Sequence, residues 1–483
     1  MSVIERTPIR RLDAHDPGAG IRRPLVLGAA ATTLLALVTI GLPIPPAAVV
    51  ATSLIAMAVV VSAWLAVRRR LGAITVTQLY RIILCWGLPL MAARPLFSGD
   101  VWSYLAQGEI AATGSDPYHS GPAQALGMDS SHTQHVSHYW LDTPAPYGPA
   151  WLVLSRTVAA LTGEHLTAGI LLYRLLAVAG LVLIAWALPR LAQRAGVAPA
   201  TAVWLGLLNP LTLWHLVAGA HNDAIMIGLM LAGLELGLAG LQHSGATGTA
   251  RLLAATAVLT AAANVKIVAA AAVVVLAAEA ARRHPRPLVP VLAVTAVAGL
   301  GTLALSAIGG FGWITALRGG TAVYSWMSPS TAIGLLVGGF IEPEVPSFTA
   351  ATVTATNLAG ALAAIPIVVR LVAAVFRGQR HPVHALGLIF TAALLLGSVV
   401  QPWYLPWAIT ALAATVHDER RRTLIVAVSA VFAFALPAIT PTAAADLIIG
   451  YLVAAATVTG TLLAHRMRPA ARRLRRRTVP GSV

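Results

Sequence analysis

The sequence predicts an all-α protein that crosses a membrane many times. Of its 483 residues 58% are hydrophobic and only 10% are charged, and the mean hydropathy is +0.78. Several apolar stretches reach the ~20 residues that a helix needs to span a bilayer, and a helix satisfies its backbone groups without water. This composition excludes soluble enzymes, nucleic-acid-binding proteins and disulfide-stapled secreted domains.

Hydropathy along the chain predicts about 14 crossings. The stretch 251–281 is too short for two full spans, yet basic residues flank it on one side, so we expect a hairpin of two short or broken helices. The other crossings are expected near residues 25–42, 47–66, 76–95, 166–189, 199–217, 223–241, 288–306, 349–374, 383–400, 403–416, 423–439 and 444–464.

Basic residues predict the orientation of these crossings. The predicted inside segments hold 26 Lys and Arg residues, whereas the outside segments hold three, Arg94, Arg156 and Arg318. Because cytoplasmic ends of crossings collect Lys and Arg, we expect both termini in the cytoplasm of a multi-pass plasma-membrane protein. In chain order we expect a tail over 1–24, crossings over 25–95, an extracytoplasmic loop over 96–165, crossings over 166–308, a second outside loop over 309–348, crossings over 349–465 and a basic tail over 466–483.

The long outside loop is acidic and broken by prolines near its middle. Its acids are Asp100, Glu109, Asp116, Asp129, Asp142 and Glu164. The stretch 144–149 reads Pro-Ala-Pro-Tyr-Gly-Pro, which breaks regular structure, and the apolar stretch 151–161 that follows is too short to span. We expect that stretch to form a helix along the outer membrane interface.

Asp100 lies where the third predicted crossing ends, directly after Gly99, which lets the backbone turn sharply. One interpretation is a helix cap that accepts backbone N–H bonds. The other is a general base at the membrane surface, where partial burial raises the pKa of the carboxyl toward the range in which it takes a proton.

Two further polar groups interrupt apolar sequence. His221, Asn222 and Asp223 form either a helix cap or a set of hydrogen-bonding groups for a sugar or phosphate. A third interpretation is that His221 and Asp223 hold a divalent metal together with Asp100. Lys266, the one lysine of the chain, either snorkels to the interface or binds a lipid phosphate, a role that Arg318 and Arg94 also suit.

The stretch 401–407 reads Gln-Pro-Trp-Tyr-Leu-Pro-Trp. An aromatic belt at the membrane interface explains its tryptophans and tyrosine, but the two prolines and Gln401 indicate a more specific role. Arg174, about two turns inside its crossing, either snorkels outward or faces a buried cavity.

Taken in order, these motifs resemble the GT-C-fold, polyprenol-phosphate-mannose-dependent α-1,6-mannosyltransferases of actinobacteria that build the mannan of lipomannan. The resemblance is greatest to the B-type branch, which starts the mannan. This chain departs from the usual pattern by having two extra helices before the catalytic loop. The matching segments are 98–104, 116–118, 146–149, 209–210, 221–223, 264–266 and 401–407.

The resemblance implies an inverting transfer of mannose from polyprenyl-phosphate-mannose to the 6-hydroxyl of a mannosylated phosphatidylinositol or lipomannan acceptor, outside the plasma membrane. It implies that Asp100 is the catalytic base. The expected ligands of the donor phosphate and lipid are Lys266, His221, Arg318, Gln401 and Tyr404. The expected contacts with the sugars are Trp102, Tyr104, Asn222, Asp223, Tyr147 and Trp403.

No cofactor is expected, since the sequence has no glycine-rich phosphate loop and a lipid-phosphate donor requires no nucleotide site, although a divalent metal stays open. The partners expected are the two substrates and membrane lipids, and no nucleic acid. A secondary transporter or a flippase of lipid-linked sugars is the alternative, against which stands the absence of a visible internal repeat.

Overall fold

The computed structural model describes residues 19–41, 43–319, 324–341 and 345–477, and these contain helices and no strand. The first half forms α1 (Ala19–Val38), α2 (Pro46–Arg68), α3 (Val76–Ala92), α4 (Asp100–Ala112), α5 (Pro122–Leu126), α6 (Pro149–Thr162), α7 (Leu166–Arg194), α8 (Pro199–Ala202), the π-helical segments Val203–Leu207 and Thr212–Ala218, and α9 (Asp223–Gly240). The second half forms α10 (Gly245–Val265), the turn Ile267–Ala269, α11 (Ala270–Arg283), α12 (Leu288–Gly309), α13 (Trp313–Gly319), α14 (Pro329–Ile341), α15 (Pro346–Phe376), α16 (Pro382–Leu396), the turn Pro402–Tyr404, α17 (Leu405–Ala413), α18 (Glu419–Phe432) and α19 (Ala444–Arg477).

Eight of the described helices are long and apolar enough to cross a membrane, namely α1, α2, α7, α9, α10, α12, α15 and α19. A ninth span results if the bent pair Pro199–Leu207 and Thr212–Ala218 counts as one. The chain is therefore a polytopic membrane protein. Helices α16, α17 and α18, where we expected further crossings, have only 15, 9 and 14 residues, so the count of about 14 stays a prediction.

The expected crossing over 199–217 is not one straight helix, because this segment bends by 61°. Pro210 has no N–H to continue the helix. The Asn209 side chain binds the freed backbone, since its Nδ2 donates to the Leu205 carbonyl at 2.9 Å and its Oδ1 accepts from the Leu211 N–H at 2.9 Å. The bend brings the second piece next to the entrance of the long loop, where Leu96 N–H donates to the carbonyl of Ala218.

The stretch 251–281 is divided into two helices, as expected, and the division falls at Lys266. Lys266 has extended backbone angles between α10 and the short turn that precedes α11. Helix α10 begins at Gly245, six residues earlier than the predicted stretch, and its 21 residues make it long enough to span.

The long loop folds onto the helices as a compact layer. The expected helix after the proline-rich stretch is present as α6, and it packs against α4 so closely that a Cβ on Gly108 would lie 2.4 Å from the carbonyl oxygen of Ser155. Trp151 of α6 is buried. The amphipathic helix thus covers protein rather than presenting all of its apolar side to lipid.

Arg174 does not snorkel outward, because it is buried within the protein. Its guanidinium donates to the carbonyls of Met91 at 2.6 Å and Ala93 at 2.5 Å. These are the carbonyls at the end of α3 that have no partner within the helix. Arg174 therefore fixes the end of α3, where the chain enters the loop that carries Asp100.

Candidate active site

Asp100 is the first residue of α4, and a strained turn places it there. Phe97 has a φ of 68°, which is unusual for a residue with a side chain, and its N–H donates to the Ala438 carbonyl at 2.9 Å. The Asp100 N–H then donates to the Ser98 hydroxyl at 3.1 Å. Gly99 has an ordinary φ of −93°, so our expectation that glycine makes the turn is wrong. Phe97 adopts the left-handed conformation instead.

His221 reaches Asp100 from a second strained turn. Ala220 has a φ of 51°, and with Phe97 it is one of two non-glycine residues with positive φ in the described ranges. His221 is fully buried, and its Nδ1 lies 3.4 Å from Oδ2 of Asp100. Its ring stacks on Trp403, with 4.3 Å between the ring centroids. Two backbone segments held out of their preferred conformations thus bring an imidazole to a carboxylate.

Asp223 forms an ion pair rather than a helix cap. Lys266 Nζ donates to its two oxygens at 2.9 and 3.1 Å, and Trp407 Nε1 donates to Oδ1 at 2.6 Å. No capping bond from a side chain is present at the described start of α9. The cap interpretation is wrong because the Asp223 carboxylate points away from the first turn and towards the break between α10 and α11.

Lys266 points into the protein, which contradicts the snorkelling interpretation. Its side chain is 15% exposed and Asp223 is fully buried. The ammonium also lies 4.6 Å from the ring centroid of Tyr404 and 5.2 Å from that of Trp407. The two rings stack on each other, with 4.2 Å between their centroids, so the ammonium lies beside an aromatic pair and a carboxylate, which stabilise it without bulk water. Its ammonium has three N–H donors, of which two are directed at Asp223.

The proline-rich stretch of the long loop closes over this ion pair. Gly148 N–H donates to the Val265 carbonyl at 3.2 Å, and a Cβ on Gly148 would lie 2.1 Å from the Asn264 carbonyl oxygen. Only glycine allows so close an approach. The preceding Tyr147 packs edge-on against Tyr104, with 5.3 Å between their ring centroids. We use the term Asp100 cluster for Asp100, His221, Asp223, Lys266, Trp403, Tyr404 and Trp407.

Buried polar atoms without a hydrogen-bond partner surround the Asp100 cluster. Most buried polar groups in proteins have partners, so these atoms indicate a place for water or a polar ligand. Within the described part of the chain they include the Tyr104 hydroxyl, Nδ1 of His215, both ring nitrogens of His221 and both amide atoms of Asn222.

The charge state of Asp100 results from opposing effects. Burial raises the pKa of its carboxyl and is the largest single influence. Three neighbours lower the pKa of this carboxyl: His221 by its position next to the carboxylate and by its charge, Lys266 by its charge, and Ser98 by its hydroxyl. Together they outweigh burial, so the pKa of Asp100 lies below its ordinary value. The expectation of a raised pKa is wrong, because burial at this position comes with cationic neighbours. These neighbours therefore favour the ionised form of Asp100.

Two cavities are lined by residues that neighbour members of the cluster in the chain. One of 210 Å³ is mainly apolar and extends from Tyr147 and Asn264 along α10, α11 and α12 to Trp313. The other, of 190 Å³, is bounded by Arg94, Ser98 and the segment 437–440. The apolar cavity therefore lies next to the break between α10 and α11, and the smaller one lies next to the segment before Asp100.

The remaining predicted residues are less closely tied to the cluster. Trp102 is half-buried and stacks on His135, with 4.6 Å between centroids. Gln401 is half-buried and precedes the turn that carries Trp403 and Tyr404. The side chain of Arg318 lies outside the described residues. No group of three or more His, Cys, Asp or Glu side chains in the described ranges is arranged to hold a metal ion.

Trp407 is the member of the Asp100 cluster that the sequence did not single out. Its position at the end of the stretch 401–407 made an aromatic belt a sufficient explanation. Its indole N–H binds Asp223, 184 positions earlier in the chain, at 2.6 Å. The one indication in the sequence that Trp407 belongs to the cluster is that it lies in the same stretch, 401–407, as Tyr404.

Comparison with known proteins agrees with the resemblance. Residues 25–282 match the family described as alpha-(1->6)-mannopyranosyltransferase, N-terminal domain, and residues 330–467 match the MptB C-terminal domain. An alpha-(1->6)-mannopyranosyltransferase of Mycobacterium tuberculosis is 40% identical over 377 residues, which cover 68% of this chain and 64% of the relative. No solved structure matches.

Two further relatives carry related names. The alpha-(1->6)-mannopyranosyltransferase B of Corynebacterium glutamicum is 36% identical over 382 residues, 76% of this chain and 63% of the relative. The alpha-(1->6)-mannopyranosyltransferase A of Mycobacterium tuberculosis is 33% identical over 380 residues, 76% of this chain and 71% of the relative. The chain thus spans less than two thirds of the length of the Mycobacterium tuberculosis relative at 40% identity and of the Corynebacterium relative. These matches show that the chain belongs to the alpha-(1->6)-mannopyranosyltransferase family.

Proposed function

We propose that the chain is an inverting mannosyltransferase that moves mannose from polyprenyl-phosphate-mannose to the 6-hydroxyl of an α-mannan acceptor. One observation carries this proposal. Of the two carboxylates in the Asp100 cluster, Asp223 is bound by Lys266 and Trp407, whereas Asp100, whose neighbours favour its ionised form, lies 3.4 Å from a buried imidazole. Asp100 is therefore the group that is available to accept a proton.

The chemistry follows from the position of this carboxylate. Asp100 accepts the proton of the acceptor 6-hydroxyl while that oxygen attacks the anomeric carbon of the donor mannose. The bond between the anomeric carbon and the phosphate oxygen breaks as the new bond forms, and a β-linked donor gives an α-linked product. The products are the extended mannan and a polyprenyl phosphate, and no redox partner is required.

The leaving phosphate gains charge in the transition state and needs fixed donors. Lys266 has one N–H beyond the two that bind Asp223. This N–H can donate a charge-assisted hydrogen bond to the leaving phosphate, while Asp223 keeps the ammonium paired. His221 and Arg318 are the further candidates, with Gln401 and Tyr404 beside them.

The sugar and the lipid take different surfaces in this proposal. Hydroxyls of the mannose residues bind the unpaired amide of Asn222 and the hydroxyl of Tyr104, with Trp102, Tyr147, Asp223 and Trp403 forming the walls. The prenyl chain lies in the apolar cavity of 210 Å³ between α10, α11 and α12. A mannosylated phosphatidylinositol or lipomannan is the proposed acceptor.

The decisive experiment is transfer by purified protein. Incubation with labelled polyprenyl-phosphate-mannose and a short α-mannoside acceptor should give a product whose new linkage is α-1,6, as read by methylation analysis. Proteoliposomes loaded with the same donor test the transporter and flippase alternatives. Movement of the donor across the bilayer without transfer to the acceptor would refute the proposal.

The proposed reaction takes place outside the cytoplasm, since arginine distribution predicts that residues 96–165 face outward. A cysteine at Ser130, in a Cys85→Ala background, should react with a membrane-impermeant thiol reagent in whole cells. The matched control is a cysteine at Ala195, which lies in a predicted cytoplasmic connection. Labelling of the Ser130 variant only after lysis would invert the orientation.

A further inference from the structure

Two adjoining cavities lie far from the Asp100 cluster, and their walls are rich in arginine. They have volumes of 390 and 580 Å³ and share the wall residues Arg194, Arg380 and His381. We call them together the arginine basin. Asp223 begins α9 at the cluster, whereas Leu238 of the same helix lines the basin. Fifteen residues of helix separate the two by about 22 Å.

The basin retains positive charge after its internal ion pairs are counted. Arg194 binds Glu235 with two bonds of 2.7 Å. One carboxylate, Glu279, binds two guanidiniums, those of Arg282 and Arg283, at 2.6 to 3.0 Å. The single negative charge of Glu279 thus neutralises one of these two guanidiniums, and one positive charge of the first cavity stays unbalanced.

The second cavity adds a further excess of charge. Arg421 lies 3.7 Å from Asp418, and Arg380 has no ion pair among the residues that the structure describes. The basin therefore has five arginines against three carboxylates. Two positive charges stay unneutralised around an open volume.

Polar groups that bind oxygen accompany these charges. Nδ1 of His381 is buried with no hydrogen-bond partner in the described ranges, and His381 lines both cavities. His384 and His417 line the larger cavity. Arginine side chains that merely anchor the protein to lipid do not need to enclose a cavity, as the exposed Arg377 and Arg420 outside its walls illustrate.

We propose that the arginine basin is a binding site for a phosphate group, distinct from the site of mannose transfer. Guanidinium groups match the geometry of phosphate oxygens, and basic pockets between membrane helices bind anionic lipid headgroups. The volume accommodates a phosphate with a substituent. The same chemistry would hold a free phosphate or the phosphodiester of an anionic phospholipid.

The test measures binding of two probes to the full-length protein in neutral detergent, inorganic phosphate and a short-chain phosphatidylglycerol, by isothermal calorimetry. The Arg380→Gln/Arg421→Gln variant should bind at least about tenfold more weakly, because it removes two of the guanidinium groups that line the basin. Arg377→Gln/Arg420→Gln removes the same charge outside the basin and should bind like the parent. Arg380→Gln alone serves if the double variant does not fold.

The two probes distinguish the sources. Binding of both probes with loss in the basin variant indicates a free phosphate as sufficient ligand, and binding of the lipid alone with the same loss indicates a headgroup site. The proposal is overturned if the parent binds neither probe. Equal weakening in the control variant also overturns it, since that result shows general attraction to a basic surface.

Discussion

The Asp100 cluster and the arginine basin place charges at opposite ends of the same helices, and they differ in which charge is left after pairing. In the cluster one ammonium and one carboxylate neutralise each other beside a stacked aromatic pair, and the carboxylate of Asp100 remains. In the basin guanidiniums outnumber carboxylates. Breaking a buried pair leaves an uncompensated charge, whereas removing an unpaired exposed charge does not. The comparison teaches that pairing, rather than charge count, decides what each region can bind.

The largest expected effect separates the two regions by stability. Lys266→Met leaves the buried Asp223 carboxylate without its cation and should lower the free energy of unfolding by about 3–5 kcal/mol. Arg380→Gln, in the basin, should change it by less than about 0.5 kcal/mol. Thermal unfolding in detergent compares the two variants with the parent. Adding Asp223→Asn to Lys266→Met should recover part of the loss, and equal stability of the Met variant and the parent contradicts the buried ion pair.

A related effect on donor binding tests the phosphate role of Lys266. The Met variant should bind polyprenyl-phosphate-mannose about 10- to 100-fold more weakly, and Lys266→Arg should retain part of the affinity because the charge is kept. Donor titrations are read only on variants whose unfolding shows a folded protein. If the Met variant binds the donor like the parent, Lys266 has only the structural role with Asp223.

The next effect is catalytic and belongs to the cluster alone. Asp100→Asn keeps the shape of the side chain but removes its basicity, so turnover should fall by ~10² or more with donor binding retained. Asp129→Asn, an exposed acid of the same loop, is the matched control and should transfer mannose at the parent rate. Turnover of the Asp100 variant within a few-fold of the parent would end the assignment of Asp100 as base.

Smaller effects are expected from two glycines of the matched motifs. Gly148→Ala places a methyl group 2.1 Å from the Asn264 carbonyl oxygen and should destabilise the protein by about 1–3 kcal/mol, since neither backbone can retreat freely. Gly99→Ala meets no atom nearer than 3.8 Å and should change the free energy of unfolding by less than about 0.5 kcal/mol. Equal unfolding temperatures for the two variants would show that the loop does not dock on α10 as described.

The smallest effect concerns pH and tests the electrostatics of the cluster. The parent holds the pKa of Asp100 below its ordinary value, so activity should persist on acidification until that carboxylate is protonated. Burial raises the pKa of Asp100, and His221 is the main group that counteracts this. In His221→Gln the pKa of Asp100 should therefore rise, and the acid limb of kcat/KM should move to higher pH. The profiles of both proteins over the acid range give the answer. Superimposable acid limbs would mean that His221 does not stabilise the Asp100 carboxylate.

The sequence predicted the membrane class, the division of 251–281 into two helices and the members of the cluster other than Trp407, because these depend on hydropathy and on local motifs. Asp100, His221 and Asp223 were each identified as polar interruptions of apolar sequence. Their partners were not predictable, since the bond between Trp407 and Asp223 joins residues 184 positions apart. The cap interpretation of Asp223 failed for the same reason, because a local rule explained an interaction that is distant in sequence.

The sequence by itself determined that the chain crosses a membrane, that the stretch 144–149 precedes a short helix and which polar residues interrupt the apolar stretches. The tertiary structure decided the conformations of Phe97 and Ala220, the bend of 61° between Val203–Leu207 and Thr212–Ala218, and the charge state of Asp100. The physical reason is how far apart along the chain the interacting groups lie. Hydropathy and helix breaking act between neighbours in the chain, whereas pairing of buried charges and strain in a turn depend on groups that only folding brings within a few ångströms of each other.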